Sequence, residues 1–513
     1  MAKHNQTVLI LDFGSQYTQL IARRVRELKV YSEIVPYSIS IDEAREYSPK
    51  AIILSGGPSS VYGDQSPKCD HDIINLGVPI LGICYGLQLL INETGGSVSS
   101  NGSGEYGLAT IQHEGAGILA EVGSTTKVWM SHGDRVDNLP EHWEVSARSS
   151  NDIIAAVHHS EKPFFGTQFH PEVAHTDEGE KIISNFLFKI AGCTPDWTPA
   201  SLAEESIKSI RETVGNDRIL CAVSGGVDST VLAVLAHEAV GDRLKPVFID
   251  HGLLRKNEVP YVTDMFNSKL NINLEVHNYS ENFLAKLKGV TDPEKKRIII
   301  GNEFIKSFEE IVEEDEETHF LAQGTLYPDV VESGGALGQA EVIKTHHNVG
   351  GLPEKMNMEL IEPFRTLFKD EVRQLGRELE IPDEILGRHP FPGPGLAVRI
   401  IGEITKERLS ILREADDIFI RNLKTANIYD EIWQAFSVLV PINTVGVMGD
   451  QRTYANLLAL RAVTSRDGMT ADWYPMPEEV LTKISGEIVN NIEGINRVVY
   501  DVSSKPPGTI EWE

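Results

Sequence analysis

Residues 219–235, ILCAVSGGVDSTVLAVL, decide how the middle of the chain folds. The apolar run Ile219 to Val223 leads into SGGVDS, Ser224 to Ser229, and then into Val231, Leu232, Val234 and Leu235, a pattern that predicts strand, tight glycine loop and helix. Gly225 and Gly226 let the backbone turn with no Cβ in the way. Ser224, Ser229 and Thr230 add hydroxyl donors at the helix start, where backbone N–H groups hold an anion, most often a phosphate.

The loop is not a Walker loop, because GxxxxGK[ST] and its lysine are absent. SGGxDS resembles the PP-loop of the ATP pyrophosphatase superfamily. That resemblance implies cleavage between the α and β phosphates of ATP, with an adenylylated intermediate. It also implies that Ser224, Gly225, Gly226, Val227, Asp228, Ser229 and Thr230 bind ATP. Asp228 has two readings. It is an acid at a helix N-terminus, or it holds Mg²⁺ near the pyrophosphate, because a carboxylate beside bound phosphates needs a cation.

The 513 residues are too many for one ordinary core and predict two to four domains. A formal net charge of −28 argues against non-specific nucleic-acid binding and means that an anionic substrate needs local lysines and arginines. The four cysteines, Cys69, Cys84, Cys193 and Cys221, have neither CxxC spacing nor disulfide density, so a reducing, cytoplasmic setting is expected. MAKHNQTVLILDFG lacks the apolar core of a signal peptide, and no stretch reaches membrane-spanning length. The acidic run Glu309 to Glu317 reads as a solvated helix face.

Thr7 to Asp12, Ile34 to Val35, Ala51 to Leu54 and Val78 to Ile83 read as strands, with an amphipathic helix over Leu20 to Leu28. Such alternation predicts a parallel sheet whose sites collect at the carboxyl ends of its strands. There the chain carries SGGP, Ser55 to Pro58, and GICYG, Gly82 to Gly86. GICYG has the form of a nucleophile elbow with cysteine in place of serine. The turn lifts the Cys84 thiol out of the sheet, the helix start favours thiolate, and the N–H of Tyr85 points to where an oxyanion forms. HPE, His170 to Glu172, ends another expected strand, Phe164 to Phe169. His170 is the candidate base and Glu172 its orienter. The order SGGP, GICYG, HPE resembles the class I glutamine amidotransferases of triad type over roughly the first 190 residues. The resemblance implies hydrolysis of glutamine at Cys84 through a thioester, with Gly57 and Tyr85 as the oxyanion hole. It also marks MSHGD, Met130 to Asp134, as a glutamine-recognition segment. Ala2 excludes the N-terminal-cysteine amidotransferases.

CTPDWTP, Cys193 to Pro199, ends this module, and Ser201 to Val214 leads as a helix to the PP-loop. Pro246 to Ile249 is the next strand; Asp250 at its end is a ribose or adenine contact or a helix cap. Lys295 to Arg297 is a basic triplet in an acidic chain, and Arg297 is either a solvated helix residue or a ligand for an anion. Leu321 to Ser333 predicts a strand and a polar turn. Ile343 to Pro353 has the glycine content of a lid, and its adjacent histidines, His346 and His347, do not suit a metal. Lys369 falls in the first turn of a helix, against the dipole, and is a candidate for the leaving pyrophosphate. HPFPGPGL, His389 to Leu396, must be a linker or a rigid turn. Beyond it a helix is expected at Ile411 to Leu423, strands at Phe436 to Val440 and Thr444 to Val447, a helix at Tyr454 to Val463 and a strand at Val498 to Val502. The apolar strands call for a covering partner. The tail KPPGTIEWE, Lys505 to Glu513, is too short to fold alone and is expected to fray or to be pinned by a ligand.

The two motifs together with HPFPGPGL and KPPGTIEWE are similar to the glutamine-hydrolysing GMP synthetase family throughout the chain. The resemblance implies an α/β chain with two parallel-sheet domains, an amidotransferase over 1–196 and a PP-loop synthetase over 197–388. A small α+β dimerisation and xanthylate-binding domain over 389–513 completes a cytoplasmic homodimer. It implies ATP, Mg²⁺, glutamine and xanthosine 5′-phosphate as cofactor and substrates, with Arg297, Lys505 and Glu511 at the xanthylate. Two alternatives fit less well: a PP-loop tRNA-modifying enzyme wants a basic RNA face and a sulfur-carrying cysteine pair, and a non-enzymatic nucleotide sensor would have lost Cys84 or a PP-loop residue.

Overall fold

The computed structural model describes residues 6–63, 66–100, 104–313, 318–327, 358–448, 451–465 and 470–513. Residues 328–333, the glycine-rich segment 343–353 and the acidic residues 314–317, all read from the sequence, lie outside that set. The chain divides into two compact units at Leu202 and Ala203. No helix among the described residues is long and apolar enough to cross a membrane.

The first unit is built on a nine-stranded sheet. Ser32–Pro36, Thr7–Asp12, Pro49–Leu54, Ile80–Ile83 and Phe164–Thr167 lie side by side and parallel. Thr7–Asp12 is buried along its whole length, as a strand covered on both faces should be. The sheet then continues antiparallel through Ile154–His159, Trp143–Ser149, Glu105–His113 and Thr125–His132. Buried and exposed residues alternate along Thr125–His132, the pattern of a strand with one solvated face. The parallel half is the part legible as strand and helix in alternation, and it carries the motifs at its carboxyl edge.

The second unit holds a five-stranded, fully parallel sheet in the order Glu275–Asn278, Leu244–Asp250, Arg218–Val223, Thr318–Ala322 and Glu359–Ile361. Strand order reverses between Arg218–Val223 and Thr318–Ala322, so the SGGVDS loop leaves the sheet where such folds open a crevice. A further sheet comprises Gln434–Met448, Gln451–Thr464, Asp472–Trp473 and Ile495–Tyr500. One apolar core joins the two parts, with Leu220, Val247 and Phe283 packed in the same cluster as Leu412, Phe419, Leu439 and Leu458.

The helix expected at Tyr454 to Val463 is instead the strand Gln451–Thr464. It lies between Gln434–Met448 and Ile495–Tyr500, and Leu458 to Val463 is buried at every position. A central strand covered on both faces loses its two-residue alternation, and leucine, alanine and arginine then read as helix formers. Phe436 to Val440 and Thr444 to Val447 are one strand whose register shifts between Val440 and Thr444. HPFPGPGL is a rigid turn inside the second unit. Gly395 has φ +62°, and a Cβ there would stand 2.4 Å from the Leu253 carbonyl. Leu396 N–H donates to that carbonyl at 2.8 Å.

The tail does not fray: buried side chains of the second unit hold it. The buried Arg461 donates to the carbonyls of Ser503, Thr509 and Ile510 at 2.9, 3.0 and 2.9 Å and meets Asp501 at 3.0 Å. Lys505 and Ala471 exchange main-chain hydrogen bonds. Lys296, fully buried on the helix Pro293–Glu313, donates to the carbonyls of Ala397 and Ile400 at 3.2 and 2.8 Å and pairs with the Glu513 carboxylate. Removing one partner of a buried pair leaves an uncompensated charge. Glu513→Gln is therefore expected to destabilise the second unit by about 3 kcal/mol, and Lys296→Met with Glu513→Gln to recover most of it. Denaturant unfolding of the three proteins checks this; additive losses in the double variant would count against the pair.

Candidate active sites

Cys84 stands between the strand Ile80–Ile83 and the helix Tyr85–Glu93 with φ 52° and ψ −104°. This positive φ is strained for a residue with a side chain, and it persists because the surroundings leave the elbow no alternative. A Cβ on Gly86 would lie 2.2 Å from the Leu54 carbonyl, and one on Gly82 would lie 2.6 Å from Leu87 N. Gly86 N–H donates to Ser55 O at 3.1 Å, tying SGGP to the elbow. Gly57 is pressed against the same place: its Cβ would come within 2.7 Å of Phe13 O and 3.4 Å of the Tyr85 ring. Tyr85 opens the helix, so its N–H has no acceptor within it.

His170 Nδ1 and Glu172 Oε1 are 2.7 Å apart and both side chains are buried. Burial opposes a charge on the imidazole, but the Glu172 carboxylate and Cys84 outweigh it and raise the His170 pKa to about 10. The backbone holds the pair from outside: Thr176 Oγ1 donates to His170 O at 2.6 Å and Arg24 Nε to Glu172 O at 3.0 Å. A Cβ on Gly56 would lie 3.2 Å from His170 Cε1, so SGGP also limits the ring. Thus Cys84, His170, Glu172, Gly57 and Tyr85 gather at the carboxyl edge of the parallel strands. MSHGD lies alongside, with Ser131 O 3.7 Å from the Cys84 sulfur.

Two residues here escaped the sequence reading. Gln168 Nε2 lies 3.7 Å from the Cys84 sulfur, and Gln88 Nε2 reaches Asp134 O at 2.9 Å and Gln168 Oε1 at 3.3 Å. Both glutamines are buried, so they fix the floor under the thiol. Gln168 stands two residues before His170, and its position at the end of a strand was the one signal that could have found it.

In the second unit the PP-loop is internally braced. Ser224 N–H donates to Ser229 Oγ at 3.1 Å, the two hydroxyls are 3.0 Å apart, and Thr230 Oγ1 donates to Gly226 O at 2.8 Å. Gly226 precedes the helix Val227–Val240, whose first turn carries Asp228. Lys369 Nζ stands 3.3 Å from Asp228 Oδ2, bringing together two residues 141 apart in sequence. Asp228 Oδ1 is buried with no hydrogen-bond partner among the described residues. Asp250 caps a turn and not a helix: its Oδ1 accepts Gly252 N–H at 2.9 Å, and the next helix starts only at Glu258.

The three residues assigned to xanthylate meet other parts of the tail's own framework. Arg297 donates to the Glu513 carbonyl. Both Glu511 oxygens are engaged by Arg399, at 2.8 and 3.1 Å, and Gln434 Nε2 adds a contact at 2.9 Å. Lys505 is half-buried. The sequence reading missed Arg399, a fully buried guanidinium over the Phe436 ring at 4.2 Å, whose Nη1 has no partner among the described residues.

A strained cysteine elbow beside a His–Glu pair in one unit and a PP-loop in the next define an amidotransferase joined to an ATP-using PP-loop domain. Family models agree: glutamine amidotransferase class-I matches residues 9–190, the PP-loop domain 199–295, and the GMP synthase C terminal domain 421–512. A GMP synthase [glutamine-hydrolyzing] of Brachyspira hyodysenteriae is 54% identical over 516 residues, covering 100% of both chains. That of Chlorobium luteolum is 55% identical over 516 residues, covering 99% of this chain and 100% of its own. The chain belongs to the glutamine-hydrolysing GMP synthase family.

Glu172 raises the His170 pKa by stabilising the imidazolium, so its loss makes the ring a weaker base. Glu172→Gln is expected to slow alkylation of Cys84 by iodoacetamide at neutral pH about tenfold, because a less basic His170 accepts the thiol proton less readily. Cys69, Cys193 and Cys221, whose thiols burial pushes up, serve as internal unreactive references. An unchanged rate would remove the carboxylate from the thiol's activation.

Proposed function

We propose that the protein makes GMP from xanthosine 5′-phosphate, ATP and glutamine through a Cys84–His170–Glu172 triad and an adenylylated xanthylate. The observation that carries this reading is the strained elbow cysteine in the same unit as a buried histidine held by a glutamate, in a chain that also presents a braced PP-loop. In the first unit, Cys84 attacks the side-chain carbonyl of glutamine while the N–H groups of Tyr85 and Gly57 receive the developing oxyanion. His170 gives its proton to the departing amine, which leaves as ammonia, and a thioester remains. His170 then takes a proton from water, whose oxygen attacks the thioester and releases glutamate. Burial of Glu172 beside Nδ1 holds the ring orientation through both steps.

In the second unit, the PP-loop residues Ser224 to Thr230 cradle the ATP phosphates and Lys369 follows the leaving pyrophosphate. The xanthylate C2 oxygen attacks the α phosphorus, pyrophosphate departs, and ammonia then adds at C2 and expels AMP. Mg²⁺, when bound, neutralises phosphate charge, and the unpartnered buried Oδ1 of Asp228 suits it as a ligand. Asp250 lies at the carboxyl end of the strand beside the loop, where it serves ribose or adenine. Lys505, Arg297 and Arg399 supply positive charge for the xanthylate phosphate. Glu511, set by Arg399 and Gln434, presents its carboxylate edge to sugar or base. The exposed apolar side chains Ile442, Val445, Val447 and Tyr454 on the last sheet are suited to a second copy of the chain, giving a homodimer in the cytoplasm.

The test supplies ATP, Mg²⁺ and xanthylate with glutamine or an ammonium salt and follows GMP, AMP and pyrophosphate. Cys84→Ala is expected to abolish glutamine-dependent synthesis and to retain most of the ammonium-dependent rate, since the two chemistries occupy separate units. Loss of both would refute that separation. Asp228→Asn should lower the rate of pyrophosphate release about tenfold or more and raise the Mg²⁺ concentration needed, with Cys84 alkylation unchanged. Wild-type pyrophosphate release in this variant would dismiss the carboxylate as a metal ligand.

A further inference from the structure

We propose that Arg388 is a positioning residue of the PP-loop, holding the Gly225–Gly226 peptide in the one orientation that presents an N–H to a phosphate. The assignment rests on the reading of SGGVDS as an ATP site. Arg388 immediately precedes HPFPGPGL, far in sequence from the loop it meets. Its Nη1 donates to Gly225 O at 3.0 Å and its Nη2 to Glu258 Oε1 at 2.5 Å. The guanidinium carbon lies 4.7 Å from the centre of the Tyr261 ring. Arg388 and Glu258 are 17% and 10% exposed, so the pair is mostly withdrawn from water.

In a trans peptide the carbonyl of one residue and the N–H of the next point in opposite directions. Fixing the Gly225 carbonyl on Arg388 therefore aims the Gly226 N–H the other way, to the side of the Ser224 and Ser229 hydroxyls, where it now meets Ser224 Oγ at 3.3 Å. Gly225 has φ +74°, and a peptide between two glycines has little steric resistance to flipping. A flip would turn the carbonyl oxygen toward the phosphates and remove a donor, reversing the local dipole at the anion site. No side chain on Gly225 can prevent it, because a Cβ would lie 2.8 Å from Val262 Cγ2 and 3.4 Å from Glu258 Oε1. The restraint has to come from outside, and Arg388 is placed to supply it. Its own backbone is steadied by the next residue: His389 stacks on Tyr429 with ring centres 3.7 Å apart, and His389 N–H donates to the Tyr429 hydroxyl at 3.1 Å.

The experiment measures KM for ATP and for xanthylate separately, with ammonium as nitrogen source, together with the melting temperature. If the wild-type protein forms no GMP, the functional reading fails and not this assignment. In an active background, Arg388→Gln is expected to raise KM for ATP about tenfold, the effect of losing one charge-assisted hydrogen bond. KM for xanthylate should stay within about twofold, while the melting temperature falls by several degrees because half of a mostly withdrawn pair is lost. Arg388→Lys, which can reach the carbonyl with one ammonium, should recover part of the ATP affinity. Glu258→Gln, of the same shape without the charge, should give a smaller rise of the same kind. An unchanged KM for ATP in folded Arg388→Gln, or equal rises in both KM values, overturns the proposal. Should that variant fail to fold, Glu258→Gln decides by the same two constants.

Discussion

The first N–H groups of an α-helix have no acceptor inside the helix, and both candidate sites are arranged around that deficit. In the first unit the helix Tyr85–Glu93 begins at the elbow; in the second, Val227–Val240 begins at the glycine loop. Each follows a strand buried in a parallel sheet, so the helix start is delivered to the open edge by elements that cannot move. The two sites use the deficit differently. The elbow forces a cysteine into positive φ and leaves an N–H beside the sulfur, which suits an oxyanion formed for a moment. The PP-loop braces its own hydroxyls and keeps a wider turn, which suits a ligand that is already an anion.

Close packing enforces both geometries. Around the elbow, Gly82, Gly86 and Gly57 sit where any Cβ would strike backbone or ring atoms. Strain at Cys84 is thus held by contacts at its neighbours, and the raised pKa of His170 comes from the Glu172 carboxylate and Cys84 beside it, against the burial that opposes its charge. In the second unit the restraint is electrostatic. Arg399, Arg461 and Lys296 are fully buried, and each faces a carboxylate or a set of carbonyls contributed by the tail. A buried cation is tolerated only when it is paired, so the tail cannot detach without exposing three charges to an apolar interior.

What could be read from the sequence was what punctuation and motif residues announce. Glycines at 82 and 86 flank the elbow and those at 225 and 226 form the loop, and Cys84 and His170 proved to follow the ends of parallel strands of one sheet although far apart in the chain. The strand at Gln451–Thr464 was misread because its alternation is erased by burial on both faces. Gln168, Gln88, Arg388 and Arg399 were missed for another reason: each acts through a partner distant in sequence, and a lone glutamine or arginine carries no local mark of that partner. The anchors of the tail, Arg461 and Lys296, could not be foreseen because they lie on elements whose own patterns gave no reason to expect buried cations.

A chain with formal charge −28 repels nucleotides at long range, so affinity for them has to be generated within a Debye length of the site. The structure concentrates cations accordingly: Lys369 and Arg388 at the PP-loop, and Lys296, Arg297 and Arg399 around the tail. Most of them are already engaged by carboxylates or carbonyls of the protein, which keeps their positions fixed before a ligand arrives. The consequence is selective. A fixed cation in a partly buried site strengthens contact with a phosphate that matches its geometry, whereas a flexible surface lysine would attract any anion and hold none well.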